Sequence, residues 1–328
     1  MREYGGFEGN AQTLRIVSRL EKKIVGEDSC YGLNLTFRSL ASILKYDNEI
    51  PERRKEKSKL VKGYYSSEGP LVTKIKEAVL RDSNNPTNFK TIECSIMDLS
   101  DDIAYSTYDL EDSFKAGFLT PADMLSSGDE LLDEVATKVK KELGYEFGKL
   151  DVLKRLVEIF KGIDGPDSEE LSMVKFINMY RASKALASNS NFRTRFSSLL
   201  VGNAIKSVNV KVNNVCLALS KVHLSSEVKE RVEVLKQFTY VSTIYSSKVK
   251  LSEYRGYEVV EGIFTALAGK RGDLLMPEDI RSLLVKDLPE SKRMRIICDF
   301  IAGMTDRYAM EFYGRLHSDS AQSMFKPI

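Results

Sequence analysis

Asp101, Tyr105 and Asp109 fall at i, i+4 and i+8 of the stretch Ser95–Asp112 (SIMDLSDDIAYSTYDLED). A helix there lines up carboxylate, phenol and carboxylate along one face. Asp98, Asp102 and Asp112 add acid, while Ile96, Leu99, Ile103, Leu110 and Phe114 supply an apolar stripe at helical spacing. Aspartate is a mediocre helix former because its short carboxylate competes for nearby backbone groups, so this density departs from a plain amphipathic helix. Such a face could hold a hard cation and a hydroxylated ligand, since carboxylates bind divalent ions and phenols donate to phosphate or sugar oxygens. A merely solvated face is the alternative.

Phosphate chemistry needs cations. Lys45-Tyr46 is one candidate, and the run Arg53–Lys62 sets six positive charges against one negative. Flexible lysines there would act as point charges on a polyphosphate or nucleic acid, the alternative being a solubilising loop. Only two histidines are present, His223 and His317, at no zinc-ligand spacing. No Ser-His-Asp triad, GxxxxGK[ST] or GxGxxG pattern can be argued, which disfavours P-loop and dinucleotide chemistry.

The elements that must position these groups read as helices. With 328 residues, 42% hydrophobic and 29% charged, the chain is long enough for one large or two ordinary globular domains. Its net charge of +2 argues for no global nucleic-acid or membrane field. Cys30, Cys94, Cys216 and Cys298 are dispersed, as suits a reducing compartment. No apolar leader opens the chain, and charge-free stretches such as Phe196–Ile205 are about half the ~20 residues of a membrane span. The expectation is a soluble, cytoplasmic protein.

A period near 3.6 predicts helices over Leu71–Leu80, Thr91–Gly117, Asp129–Leu143, Leu150–Phe160, Leu171–Ala187, Phe196–Lys206, Val228–Tyr245, Tyr257–Ala268, Pro277–Leu284 and Arg293–Leu316. Thr120-Pro-Ala-Asp123 is a helix start, and Asn34 or Thr36 is suited to cap a helix over Phe37–Leu44. Lys45–Gly69 reads as a polar connector, and Val208–Ser220 as a short strand pair or an irregular stretch. Gly162–Asp167 (GIDGPD) is the clearest breaker, which places a hinge near 160–170.

Five strings together resemble bacterial deoxyguanosinetriphosphate triphosphohydrolases of the HD superfamily. They are Gly5–Ile16 (GGFEGNAQTLRI), Gly32–Thr36, Leu44–Tyr46, Met97–Ser106 with Tyr108–Asp112, and Cys298–Tyr308 (CDFIAGMTDRY). The resemblance implies an all-α, HD-type multi-helix bundle. Residues 1–125 would be the remainder of the catalytic domain and 126–328 a helical C-terminal region packed on it. It implies metal-dependent hydrolysis of a deoxynucleoside triphosphate to deoxynucleoside and tripolyphosphate.

Residue by residue, the resemblance makes Asp101 a ligand of a divalent metal, Mg, Mn or another transition metal. Tyr105 and Asp109 match positions at the deoxyribose, and Lys45 and Tyr46 a phosphate-side pair. Tyr245 and Glu253 fall in a region lining the nucleoside pocket, with Arg295 or Arg307 reaching towards the phosphates. A homo-oligomer, commonly a hexamer, and a nucleotide or single-stranded DNA effector are implied too. The family's first histidine, His-Asp pair and catalytic histidine all precede the FEGNAQ string, which here follows only six residues. His223 and His317 do not sit where replacements belong, so no catalytic histidine is assigned. The expectation is a poorly held metal and a chain inactive or very weak by itself. A catalytically inactive nucleotide- or single-strand-binding module of the same fold is the alternative.

Overall fold

The computed structural model describes residues 1, 3–21, 31–53, 61–81, 88–161, 172–285 and 287–317. Among them are fourteen α-helices and two two-stranded sheets, the all-α architecture that the periodicity predicts. The GIDGPD breaker, nearly all of the expected 160–170 hinge, most of the basic run and Cys30 lie outside the described residues. The chain divides into two compact units. The first takes Met1–Cys94, Asn213–Leu219 and the chain from Leu251 onward; the second takes Ser95–Val212 and Ser220–Lys250.

In the second unit, Thr120 starts the helix Pro121–Leu125: its Oγ1 accepts from the Asp123 amide at 3.2 Å. Pro121 stands where a missing N–H costs nothing. The helix Asp129–Leu143 runs from acid to lysine, matching its dipole, and ends on Gly144 at φ +80°, a left-handed backbone that strains other L residues. It packs with helices Lys149–Lys161 and Ser226–Ile244 around Val135, Val139, Val152, Leu156 and Phe238, all fully buried. Leu110 and Phe114 of the helix Ile92–Lys115 join that core, and Ile103 joins a smaller cluster with Ala204, Leu224 and Val232. Each such side chain contributes roughly 1.5–3 kcal/mol by leaving water. The apolar stripe of the acidic helix is thereby anchored. Its opposite face, with Tyr105, Tyr108 and Asp109, stays exposed.

The ambiguous stretch at 208–220 supplies one strand. Val208–Lys211 pairs antiparallel with Lys221–Leu224, just beyond it, setting Asn209 opposite His223.

In the first unit, Thr36 caps the helix Phe37–Ile43 by accepting from the Ser39 amide at 3.2 Å. This helix packs on Gly69–Leu80 through Leu40, Ala41, Val72 and Ile75. Inside the presumed polar connector, Glu49–Ile50 forms a two-residue parallel ladder with Tyr64–Tyr65, because Ile50 and Tyr65 bury themselves against Ala11. The single helix predicted over Arg293–Leu316 is two, Glu290–Ala302 and Asp306–His317. The break falls at Gly303-Met-Thr305, where the Thr305 hydroxyl accepts from the Tyr308 amide at 3.2 Å and starts a new helix. The Pro277–Leu284 reading contracts to Glu278–Arg281, and the Tyr257–Ala268 reading extends back to Ser247.

Candidate functional site

Tyr105 and Asp109 are one turn apart on the helix Ile92–Lys115 and line one cavity of about 520 Å³ within the second unit. Asp112 and Phe118 continue that wall, and Lys236 and Tyr240 stand in it from the Ser226–Ile244 side. Tyr105 and Tyr240 are each half exposed. The hydroxyl of Thr239, buried in the same wall, has no hydrogen-bond partner among the described residues. Two ammonium groups sit over aromatic rings here: Lys138 Nζ lies 5.2 Å from the Tyr240 centroid and Lys248 Nζ 5.6 Å from that of Phe118. Partial desolvation, and then repulsion from Asp112, push the Asp109 carboxyl above its ordinary value.

Lys236 is the group that sequence reasoning missed. Its Nζ donates to Asp102 Oδ1 at 2.6 Å and lies 3.6 Å from Glu233 Oε1. A lysine in a helical pattern reads as a solvated charge, and no local signal marks its partner on another helix. Asp101, partly buried on the same helix, is not among the residues lining the cavity. Tyr245 ends the Ser226–Ile244 helix, 72% exposed, and does not line it either.

The remaining predicted residues belong to the first unit. Lys45 and Tyr46 follow the helix Phe37–Ile43, and Lys62 Nζ donates to the Tyr46 hydroxyl at 3.3 Å. Glu253 is exposed on the helix Ser247–Ala268. Arg307 pairs with Glu311 at 3.0 Å, its side chain 88% exposed. Arg295 donates to the carbonyls of Tyr4 and Gly6 at 3.1 and 2.8 Å, with its guanidinium carbon 3.8 Å from the Tyr65 ring centroid.

Arg295 borders a buried polar network that joins the Gly5–Ile16 and Cys298–Tyr308 strings to Tyr65 and Glu68. Arg15 makes a two-pronged contact with Asp299, at 2.9 and 2.8 Å, and a third bond to Glu68 at 2.8 Å. Gln12 donates to Asp299 at 2.9 Å and accepts from the Tyr65 hydroxyl at 3.2 Å. Glu8 caps the helix Gly9–Arg15 by accepting from the Ala11 amide at 2.9 Å. Burial works to lower the Arg15 pKa, but Asp299 and Glu68 outweigh it and leave it raised. In the FEGNAQ string, Glu8 and Gln12 thus work as architecture.

Among the described residues, no three of His, Cys, Asp and Glu come together as a metal ion would need. His223 is exposed on a strand, and His317 stacks on Tyr313 with ring centroids 4.3 Å apart. Three or more protein ligands normally hold such an ion. The described residues do not by themselves make the implied metal cage.

A family model for a phosphohydrolase-associated domain matches residues 222–315. Deoxyguanosinetriphosphate triphosphohydrolase-like protein 2 of Mesorhizobium japonicum is 48% identical over an alignment covering 100% of this chain and 75% of that protein. The chain belongs to the deoxyguanosinetriphosphate triphosphohydrolase-like family. A family relative in Aliivibrio fischeri is 30% identical, covering 96% of this chain and 71% of its own length. Another, in Vibrio cholerae, is 29% identical over 99% and 72%. Both the buried network and the acidic cavity therefore lie within the part of the chain that the family shares. No helix among the described residues is long and apolar enough to cross a membrane.

Proposed function

We propose that this family member acts on deoxynucleoside triphosphates, water replacing the nucleoside 5′-oxygen on the α-phosphorus to release intact tripolyphosphate and the deoxynucleoside. The observation that carries this reading is the shared cavity of Tyr105 and Asp109. A carboxylate accepts from the 3′-hydroxyl, and a phenol ring packed on the neighbouring carbon leaves no room for a 2′-hydroxyl, so a deoxyribose is preferred. In this reading Lys45 and Tyr46 serve the phosphates, Tyr245 and Glu253 the nucleoside, and Arg307 and Arg295 the polyphosphate end. Arg295 keeps part of its guanidinium committed to the Tyr4 and Gly6 carbonyls. Asp101 is one ligand of a divalent ion, which when bound would neutralise phosphate charge. Its remaining ligands come from polypeptide other than these residues. Homo-oligomerisation, and a nucleotide or single-stranded DNA effector, belong to the same proposal.

Incubation of the chain with dGTP and Mn²⁺ tests it, with tripolyphosphate read by ion chromatography. Alone, the 328 residues should give little or no product; supplied with polypeptide carrying a histidine and a His-Asp pair, they should turn over. Asp101→Ala in that completed enzyme should remove both metal and activity, and unchanged metal by elemental analysis would refute the ligand assignment. Strong turnover by the chain alone refutes the incomplete-site part.

A second reading has one observation in its favour: among the described residues no three of His, Cys, Asp and Glu come together as a metal ion would need. It is a nucleotide-binding module without catalysis. Tight dGTP binding by the completed protein with no tripolyphosphate would select it.

A further inference from the structure

Lys236 stands between two carboxylates of different character. Asp102 is the neighbour of Asp101, and its side chain is 41% exposed; Glu233 is 7% exposed. Glu233 also accepts a long bond from Gln237 Nε2, at 3.4 Å. A carboxylate that deep needs a cation or several donors. Burial raises the Glu233 pKa, and Lys236 partly offsets it. Burial likewise works against the Lys236 ammonium, but Asp102 and Glu233 prevail and raise its pKa. Both ends of this arrangement are built in.

The helix carrying Lys236 is immobilised by Val234, Leu235 and Phe238, which are buried in the core on either side of it in sequence. The acidic helix is anchored by its apolar stripe, yet one side of that stripe carries the groups that must meet a ligand. Asp102, Tyr105 and Asp109 fall at i, i+3 and i+7, a single row along that helix. Lys236 holds the first of the three and lines the cavity of the other two. An exposed ion pair is ordinarily worth little. This one joins a core-anchored helix to the turn that presents Asp101 and Tyr105.

We propose that Lys236 is a positioning residue of the deoxynucleotide site, holding Asp102 so that the turn bearing Asp101 and Tyr105 keeps its setting. The assignment rests on the proposed function for its ligand, but the tie is testable without one. Amide exchange read by mass spectrometry comes first. Lys236→Met should raise exchange across 101–109 by about tenfold and leave the helix Asp129–Leu143 unchanged. Lys236→Arg, which keeps charge and reach, should restore protection. Equal exchange in wild type and Lys236→Met overturns the proposal whatever the reaction. Should Lys236→Met fail to fold, Asp102→Asn carries the same test, since it leaves Lys236 beside Glu233. Calorimetry with dGTP is the second measurement. Lys236→Met should weaken binding about tenfold, with Lys236→Arg recovering most of it. Wild-type binding that Lys236→Met equals overturns the proposal. A wild-type protein that, completed with the histidine-bearing polypeptide, binds no deoxynucleoside triphosphate refutes the proposed function instead, and the exchange result still decides on Lys236.

Discussion

Around Arg15 buried charge meets its opposite: Glu68 and Asp299 share its guanidinium, and Gln12 and Tyr65 complete the donors and acceptors. Along the acidic helix the arrangement is reversed. Asp109 and Asp112 stand near each other on one cavity wall with like charge, and partial burial, then Asp112, raises the Asp109 pKa. The two regions use similar residue types to different ends. A network whose members satisfy one another has nothing left to offer a ligand, so it holds the fold. A row of carboxylate and phenol that keeps its capacity open is where binding chemistry can happen, at some cost in stability.

The contrast breaks most sharply at Arg15. Arg15→Met takes the guanidinium from the largely buried Asp299, leaves Glu68 with only Arg19 at 3.4 Å, and should cost about 3–5 kcal/mol, read as a lower urea midpoint. An unchanged midpoint would erase the distinction. On the other side, Asp109→Ala should weaken dGTP binding roughly tenfold or more, exceed any loss of metal, and keep stability within about 0.5 kcal/mol. Equal losses of nucleotide and metal, or a large loss of stability, would move Asp109 into the structural class.

The finest test uses pH. The folded-state pKa of Asp109 is raised, so its ionisation opposes folding: the cost is absent below the unfolded value and grows as pH rises through the folded one. Asp109→Asn should therefore give a small rise in Tm at pH 7 that disappears near pH 3, below the ordinary carboxylate range. A variant less stable than wild type at pH 7 would reverse the sign and sink the argument.

What the sequence made legible was local. Thr120-Pro121 and the acid-to-lysine gradient of Asp129–Leu143 specify their own helix ends, because caps and dipoles act within a turn. The i, i+4 spacing of Tyr105 and Asp109 put them on one face, and they do share a cavity. The Gly303–Thr305 break was missed, since Ile301, Met304 and Tyr308 keep helical spacing across it. Pairs distant in sequence were not legible at all. Neither Lys236 with Asp102 nor Arg15 with Asp299 follows any period, and only the packed chain brings them together. The FEGNAQ string carried family identity without disclosing that Glu8 and Gln12 serve the interior.

Arg15 and Asp299 are 284 positions apart. During synthesis Arg15, Arg19 and Glu68 emerge before Asp299, so that two guanidinium groups first share one carboxylate. Until Asp299 is made, that cluster holds an uneven set of charges that the first unit cannot bury at low cost, whereas the whole of the second unit, Ser95–Val212 with Ser220–Lys250, has already been synthesised. A growing polypeptide of this kind should acquire its protease-resistant middle before its two flanks close. Pulse-labelled ribosome-bound intermediates would carry that order as a ladder of fragments.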